Sequence, residues 1–486
     1  MAEKSFHKVL FKNTFLFGSS QVIKIIARII TNKFAAIFLG TSGIGIIGLL
    51  ENAVLLIQGM TNFGINQSSV REVALLSGES NWDNEAKESR LIKIVYNWAI
   101  LVGLFGAAVY LLSYKYINKE VFNSSEFDIW VLVFAIYFVI SAIFSIRLSI
   151  LQAKKMIKRI VSLQVVSAIS SAILAATIYY NLGKKGIIPF LLCSVFIQFM
   201  YSLYLTRDFR VAKDKISLKN TILEGMPMLK IGLLLSVSAI FGQFCFFIIR
   251  FYLKEKASFD ILGIYQVSNV ILVGYMGFIF AAMSNDFYPR LCNYGSPKDK
   301  ITFNKLINQQ TEQALYIVVP AIVFLYALAP LIVKFLYSID FLKVLLILKI
   351  GLVSVIVKAI VWPIGHIPLV KGNKILFLKQ IILGDGANVI GSICFFHFFG
   401  LIGLGVSMVA MFILSLVYNY YTARKYYGFS YEKSTLKIVL ISLVIGVLSV
   451  TAIFCVGFKD FNYPFLILGV LSVTYSFRKI KGILIK

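Results

Sequence analysis

The amino-acid sequence predicts an all-α polytopic membrane protein. It reads as about fourteen transmembrane helices, in two pseudo-symmetric six-helix bundles plus a C-terminal helix pair, with both termini cytoplasmic. Three observations carry this: composition, the length of the apolar runs, and the placement of basic residues. Of 486 residues, 59% are hydrophobic and 14% charged, and the mean hydropathy is +0.84. A soluble chain is about 45–50% apolar and about 25% charged. A soluble fold could not hide this much apolar surface.

A bilayer core about 30 Å thick needs about 20 helical residues at about 1.5 Å each. Runs of that length fall at roughly 13–34, 44–66, 91–113, 128–152, 161–181, 186–206, 226–252, 259–284, 312–334, 341–367, 375–398, 400–423, 436–458 and 462–477. The last is the shortest. The runs are continuous, not alternating, and too long for barrel strands.

Lys and Arg are retained on the cytoplasmic side of a membrane. With the N-terminus inside, cytoplasmic segments hold 32 of the 48 basic residues and the opposite loops hold 10. Most of the net charge of +26 is therefore a topology signal, and no nucleic-acid partner is needed to explain it. Six cations remain inside spans: Lys24, Arg28, Arg147, Arg250, Lys349 and Lys358. Each costs at least about 2.5–3.5 kcal/mol near the bilayer centre unless it meets water or an anion.

The chain also repeats. Thr14, Gln21 and Arg28 match Ser236, Gln243 and Arg250 at an offset of 222. Spacing of seven keeps each trio on one helix face. At an offset of 218, Gly45, Glu51 and Gly59 match Gly263, Asn269 and Gly277. Duplication predicts a first bundle over 1–206, a cytoplasmic linker over 207–225, a second bundle over 226–425 and an added helix pair over 426–486.

The polar residues within spans are the candidate site. Gln21, Lys24 and Arg28 share a face of span 1, and Glu51, Gln58 and Asn62 share a face of span 2. Adjacent, these faces make a wet cavity, or else Glu51 forms a structural ion pair with span 1. Gln243 and Arg250 form the equivalent face of span 7, although Arg250 and Arg147 could each snorkel to an interface. Lys349 and Lys358 lie nine residues apart, about 180° of helix rotation, so they cannot line one narrow face. Lys358 is the better cavity candidate, with Pro363 predicting a kink beyond it. Asp385, flanked by Gly384 and Gly386 and followed by Asn388, predicts a locally unwound stretch. It would bind a coupling ion or pair with a span-10 lysine. Glu51 is the second ion-coupling candidate. Six cations against two carboxylates leave an excess that a diphosphate would satisfy.

Other chemistry is absent from the sequence. The five cysteines lie at least 47 residues apart and there are three histidines, so no disulfide framework, metal site or catalytic residue is predicted. There is no phosphate-binding Gly-x-x-x-x-Gly-Lys-Ser/Thr loop. The longest extracytoplasmic loop, 114–127, is too short for a glycan polymerase or ligase, the membrane-enzyme alternative. A drug or cation antiporter, the other alternative, would want carboxylates where this chain has cations.

The runs Arg250-Phe-Tyr-Leu and Ser258-Phe-Asp-Ile-Leu-Gly-Ile-Tyr-Gln266, with Phe287-Tyr-Pro-Arg-Leu291, resemble Wzx-type flippases for O-antigen and enterobacterial common antigen. So do Val22-Ile-Lys24, Gly43–Gly48 and Pro368–Lys374. These belong to the multidrug/oligosaccharidyl-lipid/polysaccharide exporter superfamily. The resemblance implies two bundles around a central cavity, alternating access, and movement of undecaprenyl-pyrophosphate-linked oligosaccharide between leaflets of the bacterial inner membrane. It implies basic residues at Lys24 and Arg250 and coupling to an ion gradient, H⁺ or Na⁺, with no other cofactor. The implied partners are membrane lipids, a glycan polymerase and a chain-length regulator, and the chain is expected to act as a monomer.

Overall fold

The computed structural model describes residues 2–76, 82–122, 128–212, 216–294, 300–456 and 463–484. Those residues form helices and short turns, with no strand among them. The helices are α1 (Ala2–Asn62), α2 (Ile65–Leu76), α3 (Trp82–Phe122), α4 (Asp128–Val133), α5 (Ala135–Ala153), α6 (Ile157–Leu182), α7 (Ile187–Leu205), α8 (Leu218–Lys256), α9 (Phe259–Asn269), α10 (Gly277–Asn293), α11 (Lys300–Leu336), α12 (Leu345–Gly365), α13 (Ile367–Val370), α14 (Lys374–Tyr427), α15 (Lys433–Val456) and α16 (Tyr463–Leu484). A π-helical turn, Val270–Tyr275, joins α9 to α10.

Among the described residues, ten helical segments are long and apolar enough to cross a membrane. Three of them, Val22–Asn62, Ile157–Leu205 and Lys374–Tyr427, are each broken once, at Gly40, Gly183 and Gly400. With the shorter Pro464–Ser476, the segments reproduce the fourteen apolar lengths. The breaks share one cause. Gly183 (φ 52°, ψ −135°) and Gly400 (φ 57°, ψ −137°) hold a conformation open essentially to glycine alone; the first opens a short 3-10 turn, Gly183–Gly186, that leads into α7, and the second breaks α14 within the helix.

These breaks also extend the repeat. Gly183 and Gly400 are 217 residues apart, and so are Lys155 (φ 53°) and Gly372 (φ 74°), the positive-φ residues after α5 and α13. Special backbone positions recur at one offset, so duplication reaches spans where sequence identity has faded.

The chain divides into two compact units, Met1–Phe247 and Ile248–Lys486. The division falls inside α8, while α8 itself begins at Leu218, within the stretch 207–225 read as linker. In the first unit α1 packs on α6 and α3 on α5. Gly103 sets the second contact, since a Cβ there would lie 2.8 Å from the Val139 Cα. Small residues let membrane helices approach in this way. The segment after α7 folds back onto the same unit. Arg159 grips Asp208 through two bonds of 2.6 and 2.8 Å, and Arg90 grips Glu224 at 2.7 and 3.1 Å. Trp98 Nε1 donates to the Thr221 carbonyl at 2.9 Å. Both carboxyls are held below the usual carboxylate range by these guanidinium hydrogen bonds.

In the second unit α12 is the central rod, packed by α11, α14 and α15. The C-terminal pair belongs to this unit. Phe465 of α16 packs in a tilted arrangement on Tyr326 of α11, ring centres 4.7 Å apart, and Gly446 of α15 sits against Val353 and Ile356 of α12. One local expectation is corrected. α14 is helical through Gly384–Asp385–Gly386, because glycine in a packed membrane helix keeps its backbone bonds. α12 contains Pro363 and runs on to Gly365, with its cap at His366.

Candidate functional site

In the first unit, the side chain of Gln21 lies outside the described residues. Lys24 is half-buried and Arg28 exposed on the same helix. Neither forms an ion pair among the described residues. Glu51 lies within electrostatic reach of Tyr137 and Tyr179, on α5 and α6. Gln243 accepts a 3.0 Å hydrogen bond from Asn52 Nδ2, joining α8 to the second length of α1. Arg147 is held by Thr206 and by the Tyr96 ring, 4.9 Å away, near the end of the unit where Arg159 and Asp208 pair.

Gln58 and Asn62 line a cavity of about 90 Å³ with Thr61, Asn66, Gly106, Phe138, Ser141 and Ser145. Gln58 Nε2 donates to Ser141 Oγ at 3.0 Å. A second, more open cavity of about 400 Å³ shares Asn66 and Ser145 and continues past Ser149 and Gln152. The two make one cleft between α5 and the chain from α1 into α2, in which these amides and hydroxyls are set among apolar side chains such as Val70, Val102 and Leu148. The sequence reading found Gln58 and Asn62 but missed Asn66, Ser141, Ser145, Ser149 and Gln152. Part of their signal was present: 141, 145 and 149 recur at four residues, which places them on one face of α5, whereas Asn66 follows the break at Phe63 and Gly64 and shares no helix with Gln58 and Asn62.

In the second unit, Arg250 is only 8% exposed. Its Nη2 donates to Gln266 Oε1 at 2.9 Å, and its guanidinium stands 5.9 Å from the Tyr265 ring. The contact joins the two ends of the run Arg250–Gln266. Lys349 and Lys358 occupy opposite faces of α12. Lys349 is fully buried 5.4 Å from the Tyr326 ring. Lys358 stands 4.9 Å from the Phe280 ring and 6.0 Å from Phe412, and it forms no ion pair among the described residues. Asp385 is half-buried and likewise has no ion pair among them. No group of metal-ligating side chains occurs among the described residues.

Membrane-length helices in two repeated units, carrying cations at membrane depth, define a multi-pass membrane protein. Residues 10–294 match the polysaccharide biosynthesis protein family, and the chain belongs to it. No curated protein matches the chain in sequence. Among solved structures, the lipid II flippase MurJ in an inward closed conformation is similar over 98% of this chain and 100% of its own, at 18% identity and a TM-score of 0.62. An inward-facing multidrug resistance MATE transporter of the MOP superfamily is similar over 88% of this chain and 95% of its own, at 13% identity and a TM-score of 0.63. An outward-facing MATE transporter reaches 0.58 at 14% identity, over 86% and 96%. At such identities the likeness is one of fold.

Proposed function

We propose that the protein is a flippase for undecaprenyl-pyrophosphate-linked oligosaccharide, moving it from the cytoplasmic to the outer leaflet of a bacterial inner membrane. Lys358 is the observation that carries the reading. It is a lysine at membrane depth, caged by Phe280 and Phe412 and without a carboxylate partner among the described residues. A lysine desolvated in this way attracts an anion strongly, because nearby charges are poorly screened there. A diphosphate supplies that charge, and Arg250 of the same unit supplies a further donor. Arginine can grip phosphate oxygens in pairs. Membership of a polysaccharide biosynthesis family and the fold shared with a lipid II flippase agree with this substrate class.

The cycle is alternating access, with the diphosphate handed from one exposure to the other while the polyprenyl tail stays in lipid. An H⁺ or Na⁺ gradient drives it through Asp385 or Glu51. Deleting the gene should trap undecaprenyl-linked repeat units on the cytoplasmic leaflet and remove the surface glycan. Unchanged surface glycan with no accumulated lipid would overturn the reading.

Asp385 favours a second reading, export of a cationic drug, since it is a half-buried carboxylate with no ion pair among the described residues. Drug resistance that rises with expression and falls on Asp385→Asn would select it.

A further inference from the structure

The cleft of the first unit differs in kind from the cationic positions. Asn62, Asn66, Ser145, Ser149 and Gln152 line it, and no charged side chain does. Arg147, on the same α5, is turned to Tyr96 and Thr206 instead. The side chains of Asn62, Asn66 and Gln152 form no hydrogen bond among the described residues. Asn62 closes a membrane-length segment, Asn66 follows in α2 and Gln152 is exposed at the end of α5, so the amides lie where a polar ligand entering the cleft can meet them. Amides and hydroxyls both donate and accept, as do the hydroxyls and acetamides of sugars. A diphosphate would find no cation here, and a cationic drug would find no carboxylate. The larger cavity, about 400 Å³, falls within the range of about 300–1,000 Å³ usual for small-molecule sites.

The repeat sharpens the contrast. Asn62 corresponds to Phe280 at an offset of 218, and Ser141 to Lys358 at 217. Where the first unit holds an open cleft, the second holds Lys358 against Phe280. The duplicated positions have diverged into a neutral, hydroxyl-matching surface and a cationic one.

The geometry points to this cleft as the subsite for the sugar portion of a lipid-linked glycan, separate from the cations that hold its diphosphate. The assignment rests on the flippase reading above. The test uses the full chain in nanodiscs and two probes. One is undecaprenyl diphosphate; the other is the same lipid bearing an N-acetylhexosamine disaccharide. The wild type should bind the second more tightly. The double variant Asn62→Leu/Asn66→Leu should weaken binding of the glycosylated lipid about tenfold, as expected for one or two lost hydrogen bonds, and leave the bare lipid within about twofold. Ser145→Leu, which narrows both cavities, should act in the same direction. Unfolding temperatures confirm that the variants are folded. Equal affinity of the wild type for both lipids overturns the cleft proposal while leaving the flippase reading intact. So does an equal loss for both lipids, or no loss, in variants that fold. Failure of the wild type to bind either lipid overturns both.

Discussion

Arg250 Nη2 lies 2.9 Å from the side-chain oxygen of Gln266, sixteen residues further on and across the turn from α8 to α9. A buried guanidinium needs acceptors, and removing one leaves its desolvation uncompensated. Gln266→Leu should lower the stability of the purified protein by about 1–3 kcal/mol and reduce surface glycan. Gln266→Glu, which keeps an acceptor, should retain most of the stability. Thermal unfolding in detergent checks both, and an unchanged melting temperature in the leucine variant would show that the bond is dispensable.

Lys358 should separate transport from stability. Its ring contacts contribute about 0.5–2 kcal/mol, while its burial is unfavourable by a comparable amount or more. Lys358→Leu should therefore fold at least as well as wild type and yet lose surface glycan. Lys358→Arg keeps the charge and should keep part of the activity. A leucine variant with normal glycan export would remove Lys358 from the substrate path.

These two residues show what was legible in sequence. Their presence in the spans was plain, because a charge in an apolar run stands out. Their partners were not, because Gln266 and Phe280 are ordinary residues in their own helices and matter only through packing. The fourteen lengths were legible from hydropathy alone. The cleft was half legible: Gln58 and Asn62 drew notice among apolar neighbours, while serines at four-residue spacing also occur as small packing residues. The unwinding expected at Asp385 failed because flanking glycines permit a break without requiring one.

The bonds Arg90–Glu224 and Arg159–Asp208 should set an acid limit. Both carboxyls sit below their usual range because each accepts bonds from a guanidinium. Unfolded, they titrate near about 4.3 and about 3.9. A lowered folded pKa stabilises the fold above the unfolded value, and that stabilisation is lost as pH falls through the folded value. Stability should be flat in this respect from neutral pH down to about 5 and then decline as the carboxyls protonate. Both pairs are exposed, so the effect is small. Glu224→Gln with Asp208→Asn should flatten the decline, as measured by unfolding temperature against pH. An identical acid profile in the double variant would assign the limit to other groups.

The duplicated backbone positions make the last prediction. Gly183 and Gly400 have open space where a Cβ would go, so any loss on substitution reports backbone strain and not a clash. Gly183→Ala and Gly400→Ala should each lower stability by about 1–3 kcal/mol. Gly386 also has open space, but it lies within helical α14 without a positive φ, so Gly386→Ala should raise stability by about 0.5–1 kcal/mol. Lys155 is exposed and occupies, at φ 53°, the position that glycine fills in the second unit. A left-handed conformation costs a side-chain-bearing residue about 1–2 kcal/mol, and the added freedom of glycine in the unfolded chain takes back about 0.4–1. Lys155→Gly should thus be neutral to slightly stabilising. Four unfolding curves decide the matter: the alanines at 183 and 400 must fall while those at 386 and the glycine at 155 do not. Equal losses at 183, 400 and 386 would mean that helix packing, and not the positive-φ backbone at the breaks, holds these spans in register.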